Sequence, residues 1–326
     1  MYLLYTKTEL NARMINMIKI HEIQYENFGR CLEMSNGIVR LVVTLDFGPR
    51  VIRYSFADGK NIFFEDSGRV FQELNPQMEA VYGSGKPWII YGGHRLWKSP
   101  ETMPETYYPD NESVSYTLMP NGAVFTPPVQ KWTNYAYEIG ITLNEEGSSV
   151  TVEHKVTNHG EKTVDFSLWA ISVMSGEGTE IVPQPSRKTG MSPMMKMAFW
   201  DYVDMTDKRL AWLNRYIVLR QDPNADGRMK FGINNEHGFA MYFNHGDMFL
   251  NQYDPVIDGI YPDGGMCFET FTNNLFLEME TLGELKKLGA GETIKHTERW
   301  SLHKESLPPL NDDAIDCLKQ KYIMPH

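Results

Sequence analysis

The sequence predicts an all-β protein, a large antiparallel β-sandwich with few short helices. Apolar and polar residues alternate through many short segments, as half-buried strands require. Turn-forming pairs such as Asn121-Gly122 and His159-Gly160 separate these segments at short spacing. Helical periodicity is scarce, and neither a low-complexity linker nor a repeat of fixed period interrupts the chain. Many short strands without a break in composition are typical of one large sandwich.

The first half of the chain contains the clearest alternation. In segment 38–45 alternate apolar residues share one face, and Arg40 and Thr44 lie on the other. Gly48-Pro49 ends this run and segment 51–54 resumes it, followed by a turn and residues 61–65, which predicts hairpins. Further strands are predicted at 113–119, 123–126, 136–143, 149–157 and 164–173.

A Pro- and Met-rich crossover at 182–198 precedes the remaining strands. These are predicted near 215–220, 229–233, 239–243, 268–272, 275–281 and 294–302. The helix candidates are 5–18, 69–79 and 312–321. We therefore expect an N-terminal extension at 1–20 and a single β-sandwich domain at 21–326; the alternative is two domains with a boundary at 182–200.

The composition argues against several kinds of partner. The formal net charge is −11 and the 31 Lys and Arg residues form no run, so no nucleic-acid partner is expected. No run of about 18 apolar residues occurs, so no membrane helix is expected. The early apolar run covers only Tyr2 to Tyr5, which does not suit a signal peptide, and the 3 cysteines lie far apart. These features predict a cytoplasmic protein with reduced thiols.

Residues 91–111, YGGHRLWKSPETMPETYYPDN, form the first candidate site. The stretch has no helical or strand-like period, and its paired glycines allow a tight turn. His94 is a proton carrier and Arg95 a cation. Trp97 adds an aromatic face and Glu101 a carboxylate. Such a mixture suits a polar ligand with a planar face, such as a sugar; the alternative is a long hairpin loop whose polar residues satisfy one another.

The late segment 271–285 is the second candidate. In a strand, Leu277 and Met279 would face the core, which places Glu278 and Glu280 together on the opposite face. Carboxylates two residues apart in a strand lie roughly 7 Å apart at the backbone. Because ionised carboxylates repel, one keeps its proton more readily and could act as a general base near neutral pH. The alternative is an exposed acidic face.

The strand predicted at 164–173 carries a tryptophan among polar residues. Phe166, Leu168 and Ala170 make its apolar face, and Trp169 lies on the other. A tryptophan on a polar sheet face is a platform for the apolar side of a pyranose ring, although strand aromatics more often pack against their neighbours.

No metal site is predicted. Segment 222–233 begins like a calcium loop, but Ile233 stands where a bidentate glutamate is required, so a hairpin turn is expected. The 9 histidines show no close metal-ligand spacing. His154 alternates with valines, which predicts a histidine buried in the core with its hydrogen bonds satisfied.

Four segments occur along the chain in the same order as the motifs of a known family. They are GPRVIRYSFADGKNIFFED (48–66), GGHRLWKSPE (92–101), VEHKVTNHGEKTVDFSLWAISVM (152–174) and FLEMETLGELKKLGAGETIKHTERWSL (276–302). In this order they resemble the galactose mutarotase-like superfamily, which includes the aldose 1-epimerases, and the resemblance covers roughly residues 21–303. The chain resembles uncharacterised bacterial relatives with a GGHRLW segment more than the true galactose mutarotases. The resemblance implies a β-supersandwich with a sugar pocket on the concave face of its large sheet.

The resemblance also implies a reaction that needs no metal or organic cofactor. In that family a glutamate removes the anomeric hydroxyl proton and a histidine protonates the ring oxygen, so the ring opens, C1 rotates and the ring closes. Glu280, followed by Thr281, matches the family's glutamate, with Glu278 as a second candidate. His94 and Arg95 match the histidine-bearing Gly-Gly segment, where they would bind or protonate sugar oxygens.

One departure concerns the family's principal acid histidine. It follows the strand whose counterpart here is 164–174, and this chain has Trp169-Ala170-Ile171 at that place. The predicted catalytic residues are therefore Glu280 as base and His94 as acid. The predicted substrate-binding residues are Arg50, Arg95, Trp97, Glu101, Tyr107, Trp169, Glu269 and Glu278.

The function predicted from the sequence is that of an aldose 1-epimerase-like isomerase acting on a monosaccharide or oligosaccharide. A sugar-binding module without catalysis is one alternative, since it tolerates the missing acid histidine. Glycoside hydrolysis or lyase chemistry is another, and it requires a suitable separation between Glu278, Glu280 and Glu269. An active site would need His94 and Glu280 to face each other across one cavity.

Overall fold

Two large antiparallel sheets pack face to face in this protein, whose computed structural model describes residues 18–323. Within that range, an 11-stranded sheet (sheet 1) packs on a 10-stranded sheet (sheet 2), with a separate pair of short strands. The predicted all-β sandwich with few short helices is confirmed.

Sheet 1 carries the strands that matter for function. In spatial order they are β1 (Lys19–Gln24), β2 (Arg30–Ser35), β3 (Val39–Thr44), β4 (Val51–Phe56), β7 (Gly93–Ser99), β12 (Val164–Met174), β21 (Leu277–Leu282), β20 (Phe268–Thr272), β17 (Met229–Ile233) and β14 (Met197–Phe199), and β22 (Lys286–Leu288) pairs with β12.

Sheet 2 covers one face of sheet 1. In spatial order its strands are β15 (Leu210–Trp212), β16 (Tyr216–Arg220), β13 (Thr179–Pro183), β18 (Phe239–Asn244), β19 (Asp247–Tyr253), β23 (Thr293–His303), β11 (Val150–Asn158), β10 (Tyr135–Leu143), β9 (Gly122–Thr126) and β8 (Ser115–Met119). The short pair is β5 (Gln72–Glu73) and β6 (Trp88–Ile89).

The main core lies between the two sheets. Alternate apolar residues of each strand point into it, as the period of a strand requires. The Phe166 ring of sheet 1 meets the Tyr135 ring of sheet 2 edge-on, with ring centroids 5.2 Å apart. Tyr54 of β4 contacts Trp300 of β23 at 6.0 Å between centroids. Such contacts leave the opposite face of sheet 1 free to carry a site.

The central strand β7 was not predicted. Residues 91–111 lack alternation, yet 93–99 pair with β12 along their length. No alternation of apolar and polar residues marks this strand, because both faces of β7 are buried and both carry polar residues. Gly92 and Gly93 have φ of 97° and 66°, and added Cβ atoms would lie 2.1 Å from the Phe64 carbonyl oxygen and 2.3 Å from that of Val51. Glycine is therefore required where the chain enters β7.

The helix predictions had mixed outcomes. Helix α2 (Asp312–Tyr322) begins where predicted, with the Asn311 side chain accepting a hydrogen bond from the Ala314 N–H. Helix α1 (Pro76–Tyr82) covers only the end of the predicted 69–79 helix, because Asn75 caps it and Pro76 opens it. The candidate at 5–18 lies outside the described residues except for its last position. No helix in residues 18–323 has the length and apolarity needed to cross a membrane.

Two further predictions differ from the structure. Residues 61–65 form isolated bridges through Phe63 and Glu65 instead of a strand. The first strand, β1, begins at Lys19, inside the predicted extension. Sheet 1 joins strands from before and after the 182–200 segment, with β12 beside β21.

Candidate functional site

A cleft lined by aromatic side chains opens on the outer face of sheet 1, away from sheet 2. We call it the tryptophan cleft, after Trp88, Trp97, Trp169 and Trp200, which line it. Its empty space is about 700 Å³, including the open mouth. Charged groups also line it: Arg95, Glu101, Arg228, Lys230 and Glu278.

Strand register builds one wall of the cleft. In the pairing of β7 with β12, Trp97 lies opposite Trp169, and Arg95 lies opposite Ile171. Because alternate residues share a face, these four side chains all point to the outer side. The Trp97 and Trp169 rings meet at 62° with centroids 5.6 Å apart.

The two glutamates of β21 occupy different depths on this face. Glu278 lines the cleft, whereas Glu280 is fully buried beneath the floor. The Trp169 Nε1–H donates a hydrogen bond to Glu280 Oε2 at 2.8 Å, and Lys230 Nζ donates to the same oxygen at 2.9 Å. Glu269 lies opposite Glu280 in the register of β20 and β21, and its Oε2 is also 2.9 Å from Lys230 Nζ.

Glu269, Glu280 and Lys230 form a buried trio with two carboxyl groups and one ammonium group. Burial raises the pKa of both Glu269 and Glu280, and the Lys230 ammonium opposes that rise. Two carboxylates facing each other around one ammonium would leave an uncompensated buried charge, so the pair retains a proton near neutral pH. Glu269 and Glu280 therefore share a proton directly beneath the cleft floor.

Arg95 is held between a carboxylate and two indole rings. Its Nη2 donates to Glu278 Oε1 at 3.1 Å, and its guanidinium carbon lies 4.3 Å from the Trp97 ring centre and 5.2 Å from that of Trp88. Burial lowers the pKa of Arg95, and Glu278 opposes this. Among the described residues, nothing accepts from Arg95 Nε, Arg95 Nη1 or Trp88 Nε1. These donors are buried behind the cleft wall.

A tyrosine and a glutamate form the cleft's outer edge. The Tyr107 hydroxyl donates to Glu101 Oε1 at 2.5 Å, and its ring packs 5.0 Å from Trp97. Burial raises the pKa of Tyr107, with Glu101 adding to the rise, so the hydroxyl remains a donor at neutral pH.

His94 lies on the other face of sheet 1, and the predicted pairing with Glu280 across one cavity is wrong. Its Nδ1 is 2.9 Å from Ser172 Oγ, and its Nε2 is 2.6 Å from Nε2 of His154 in sheet 2. Its ring also contacts Trp300 of sheet 2, with centroids 4.7 Å apart. The physical reason is strand alternation: His94 adjoins Arg95 in β7, so the two side chains point to opposite faces.

Arg50 also lies outside the tryptophan cleft. Its guanidinium is buried and binds Asp110 through two contacts, Nη1 to Oδ2 at 2.5 Å and Nη2 to Oδ1 at 3.1 Å. The remaining predicted site residues fall into two groups. Arg95, Trp97, Glu101, Tyr107, Trp169 and Glu278 line the cleft, and Glu269 and Glu280 lie under its floor.

Several residues that line the cleft were not among the predicted site residues. Lys230 is the most important, and a signal for it existed: it alternates with Met229 and Phe231 in a predicted strand, as a lone cation among apolar residues. Trp200 and Tyr202 follow β14 in irregular chain, where no period marks them.

The interior histidines are neutral at neutral pH. Burial lowers the pKa of His94 well below its ordinary value, with His154 adding to the effect. Burial likewise lowers the pKa of His154 to about 3 and that of His296 to about 4. As predicted, His154 is a buried core residue that makes hydrogen bonds.

Comparison with known proteins shows similarity at the level of fold. No protein-family model matches the chain, and no curated protein matches it. A candidate aldose 1-epimerase from Klebsiella pneumoniae superposes with a TM-score of 0.58 at 12% identity, covering 95% of this chain and 89% of that one. A galactose mutarotase-like protein from Lactobacillus casei has a TM-score of 0.51 at 11% identity, covering 84% and 100%.

A longer protein also contains this fold. A TPR-domain containing protein from Parabacteroides distasonis superposes with a TM-score of 0.58 at 12% identity. The match covers 85% of this chain and 48% of that one, so the present chain spans about half of its length. The chain thus has the galactose mutarotase-like β-sandwich fold.

Proposed function

We propose that this protein binds a carbohydrate in the tryptophan cleft and acts on it as an aldose 1-epimerase-like isomerase. The observation that carries the proposal is the placement of indole faces beside Glu278 and Lys230 on one side of sheet 1. The fold shared with galactose mutarotase-like proteins supports it.

The cleft has the chemistry that a sugar ring requires. A pyranose has an apolar face that stacks on an indole and hydroxyl edges that need hydrogen bonds. Trp97, Trp169 and Trp200 supply aromatic faces. Arg95 supplies a cation, and Glu278 supplies acceptors. The ligand class is therefore a monosaccharide or the terminal unit of an oligosaccharide.

The proposed reaction opens and closes the sugar ring. Glu278 accepts the proton of the anomeric hydroxyl, the C1–O5 bond breaks as C1 becomes a carbonyl carbon, and Lys230 gives a proton to O5. After C1 rotates, O5 attacks C1 from the other side, O5 returns its proton to Lys230, and Glu278 returns the other to O1. While O5 holds this proton, the proton shared by Glu269 and Glu280 can pass to Lys230, and it returns to the glutamates when O5 gives its own proton back. Glu278 takes the base role ahead of Glu280 because only Glu278 lines the cleft.

A second candidate function is sugar binding without catalysis. It is favoured by the position of His94 on the far side of sheet 1, because no histidine lines the cleft in the described part of the chain. The geometry does not favour glycoside hydrolysis. Glu269 and Glu280 share one lysine beneath the floor instead of facing each other across the cleft.

Polarimetry and calorimetry together test these functions. Freshly dissolved α-anomers of a panel of aldoses are followed with wild type and Glu278→Gln. Removal of the base should slow the enzyme-dependent rate by about 10²- to 10⁴-fold. In parallel, sugar affinity is measured for Trp200→Ala, with Trp212→Ala on sheet 2, 49% exposed, as the matched control.

The outcomes separate the candidates. A wild-type rate that depends on Glu278 supports the isomerase. Saturable binding that weakens only in Trp200→Ala, with equal anomerisation rates for wild type and Glu278→Gln, supports the binding module and sinks the isomerase. A flat titration for every sugar and no catalysed anomerisation would contradict both.

A further inference from the structure

A second group of polar side chains lies between the sheets, on the opposite side of sheet 1 from the cleft. His94 comes from β7 of sheet 1, and His154 and Glu298 come from β11 and β23 of sheet 2. All three side chains are fully buried, and their nitrogen and oxygen atoms converge within 4.8 Å of one another. We call this group the inter-sheet triad. The cleft chemistry proposed above uses none of its members.

The hydrogen bonds around the histidines fix which nitrogen is free. His154 Nδ1 lies 3.1 Å from the backbone carbonyl oxygen of His296, which can only accept, so Nδ1 carries the proton. The His154 Nε2 lone pair therefore points into the triad. His94 Nδ1 lies 2.9 Å from Ser172 Oγ, a hydroxyl that can donate or accept. Ser172 thus permits the tautomer in which His94 Nε2 also presents a lone pair.

Hydrogen bonds also fix the orientation of the Glu298 carboxylate. Glu298 Oε1 accepts from Thr281 Oγ1 at 2.6 Å and from Asn251 Nδ2 at 2.9 Å. Glu298 Oε2 accepts from Trp300 Nε1 at 2.9 Å and lies 3.8 Å from His94 Nε2. Every member of the triad is thus held by a partner that is not itself a member. Such outer partners are the usual supports of metal ligands.

We propose that the inter-sheet triad binds a divalent transition-metal ion of the zinc class and so cross-links the two sheets. Two imidazole nitrogens and one carboxylate oxygen are a ligand set that such ions take, with a fourth position for a water molecule. The two Nε2 atoms are 2.6 Å apart. Two ligands of one tetrahedral zinc ion lie roughly 3.3 Å apart, so the rings need to separate by less than about 1 Å.

The role that follows is structural. Sheet 1 separates the triad from the tryptophan cleft, because His94 and Arg95 point to opposite faces of β7. An ion in the triad would join β7 to both β11 and β23, in place of the contact between the His94 and His154 Nε2 atoms. The proposal therefore does not depend on the function of the cleft.

Metal analysis of the untagged full-length protein tests the proposal. The protein is produced with Zn²⁺ in the medium, dialysed, and assayed for bound metal by mass spectrometry. Metal-stripped protein is then titrated with Co²⁺, whose visible absorption reports tetrahedral coordination, and thermal unfolding is followed with and without Zn²⁺. We expect one Zn²⁺ per chain, a Co²⁺ spectrum at the same stoichiometry, and a higher melting temperature with Zn²⁺.

Three variants locate the ion. Glu298→Gln removes the charged ligand and should abolish stoichiometric binding. Ser172→Ala leaves the ligands in place but removes the support of His94, and should weaken binding about 10- to 100-fold. Ser186→Ala is the matched control, because exposed Ser186 contacts half-buried His237 outside the triad, with Oγ and Nε2 3.1 Å apart, and this variant should bind metal as wild type does.

Two results would overturn the proposal. The first is folded wild-type protein with no bound metal and no Co²⁺ spectrum, in which case His94 donates to His154 in a metal-free network. The second is metal binding that Ser172→Ala and Glu298→Gln leave unchanged, which would place the ion elsewhere. Poor folding of Glu298→Gln leaves the test intact, since wild type and Ser172→Ala decide it.

Discussion

Glu269 and Glu280 lie directly opposite each other in the register of β20 and β21, on the cleft side of sheet 1. Like charges directly opposite in a sheet repel. Lys230 Nζ resolves this by lying 2.9 Å from one carboxylate oxygen of each. The Lys230 ammonium thereby stabilises both buried carboxyl groups. Because Lys230 also lines the cleft, it can donate a proton there.

Lys230→Met should destabilise the fold strongly. The substitution keeps a long apolar side chain but leaves Glu269 and Glu280 buried without a cation. Removing one partner of a buried ion pair costs about 3–5 kcal/mol of unfolding free energy. Urea denaturation measures this loss, and adding Glu269→Gln to the variant should recover part of it because one of the two acids is then neutral.

The matched control for this prediction is Lys287→Met. Lys287 pairs with Asp165, and its side chain is 77% exposed, so its loss should cost under about 1 kcal/mol. Equal losses for the two lysine variants would show that Lys230 does not hold a buried charge cluster together.

The stability of the protein should fall as pH rises above the ordinary range of a carboxyl, in part because of Glu180. Burial raises the pKa of Glu180 in β13 well above its ordinary value of 4.5. Above pH 4.5 the unfolded chain releases this proton and the folded chain keeps it. Stability is therefore lost as pH rises, by up to about 1.4 kcal/mol per pH unit until the folded-state pKa is reached.

Glu180→Gln should flatten this pH profile, because an amide has no proton to keep. Urea denaturation from about pH 5 to 8 measures the slope. Glu177→Gln, at an exposed position in the same region, should retain the wild-type slope. Parallel slopes for wild type and Glu180→Gln would mean that Glu180 ionises alike in the folded and unfolded chains.

Arg50→Lys should lower stability without changing sugar affinity. The lysine keeps the charge but cannot make both contacts to Asp110, and charged hydrogen bonds contribute about 1.5–3 kcal/mol. Arg299→Lys is the control, because Arg299 binds Asp254 in the same two-point manner with its side chain 37% exposed, against 2% for Arg50. Calorimetry with a sugar ligand tests whether sugar affinity is unchanged. A lower affinity in Arg50→Lys would show that Arg50 contributes to sugar binding.

Only one thiol should react rapidly in the folded protein. Cys317 is exposed, whereas Cys31 and Cys267 are buried. Burial raises the pKa of Cys31 to about 12 and that of Cys267 to about 11, which suppresses their thiolates. A colorimetric thiol reagent should therefore label one cysteine quickly and all 3 after unfolding, and Cys317→Ser should remove the fast phase. A fast phase that persists in Cys317→Ser would contradict the buried positions of the other thiols.

By itself, the sequence determined the positions of many strands, though not of β7, and the face to which their side chains point. The strands at 229–233 and 268–272 were predicted at their observed bounds, and Glu278 was correctly placed beside Glu280 on one face and Trp169 opposite the core. These results follow because alternation depends on neighbouring residues, and one face of each strand is apolar.

Only the tertiary structure decided which residues contact each face of a strand. His94 and Arg95 are adjacent in sequence, yet one contacts His154 in sheet 2 and the other contacts Glu278 in the cleft. Lys230 joins the site only because β17 pairs with β20, whose residues lie about 40 positions later in the chain. Such pairings join distant segments, so no local period encodes them. Alternation within β7 separated His94 from Glu280, and the packing of the two sheets assembled the inter-sheet triad.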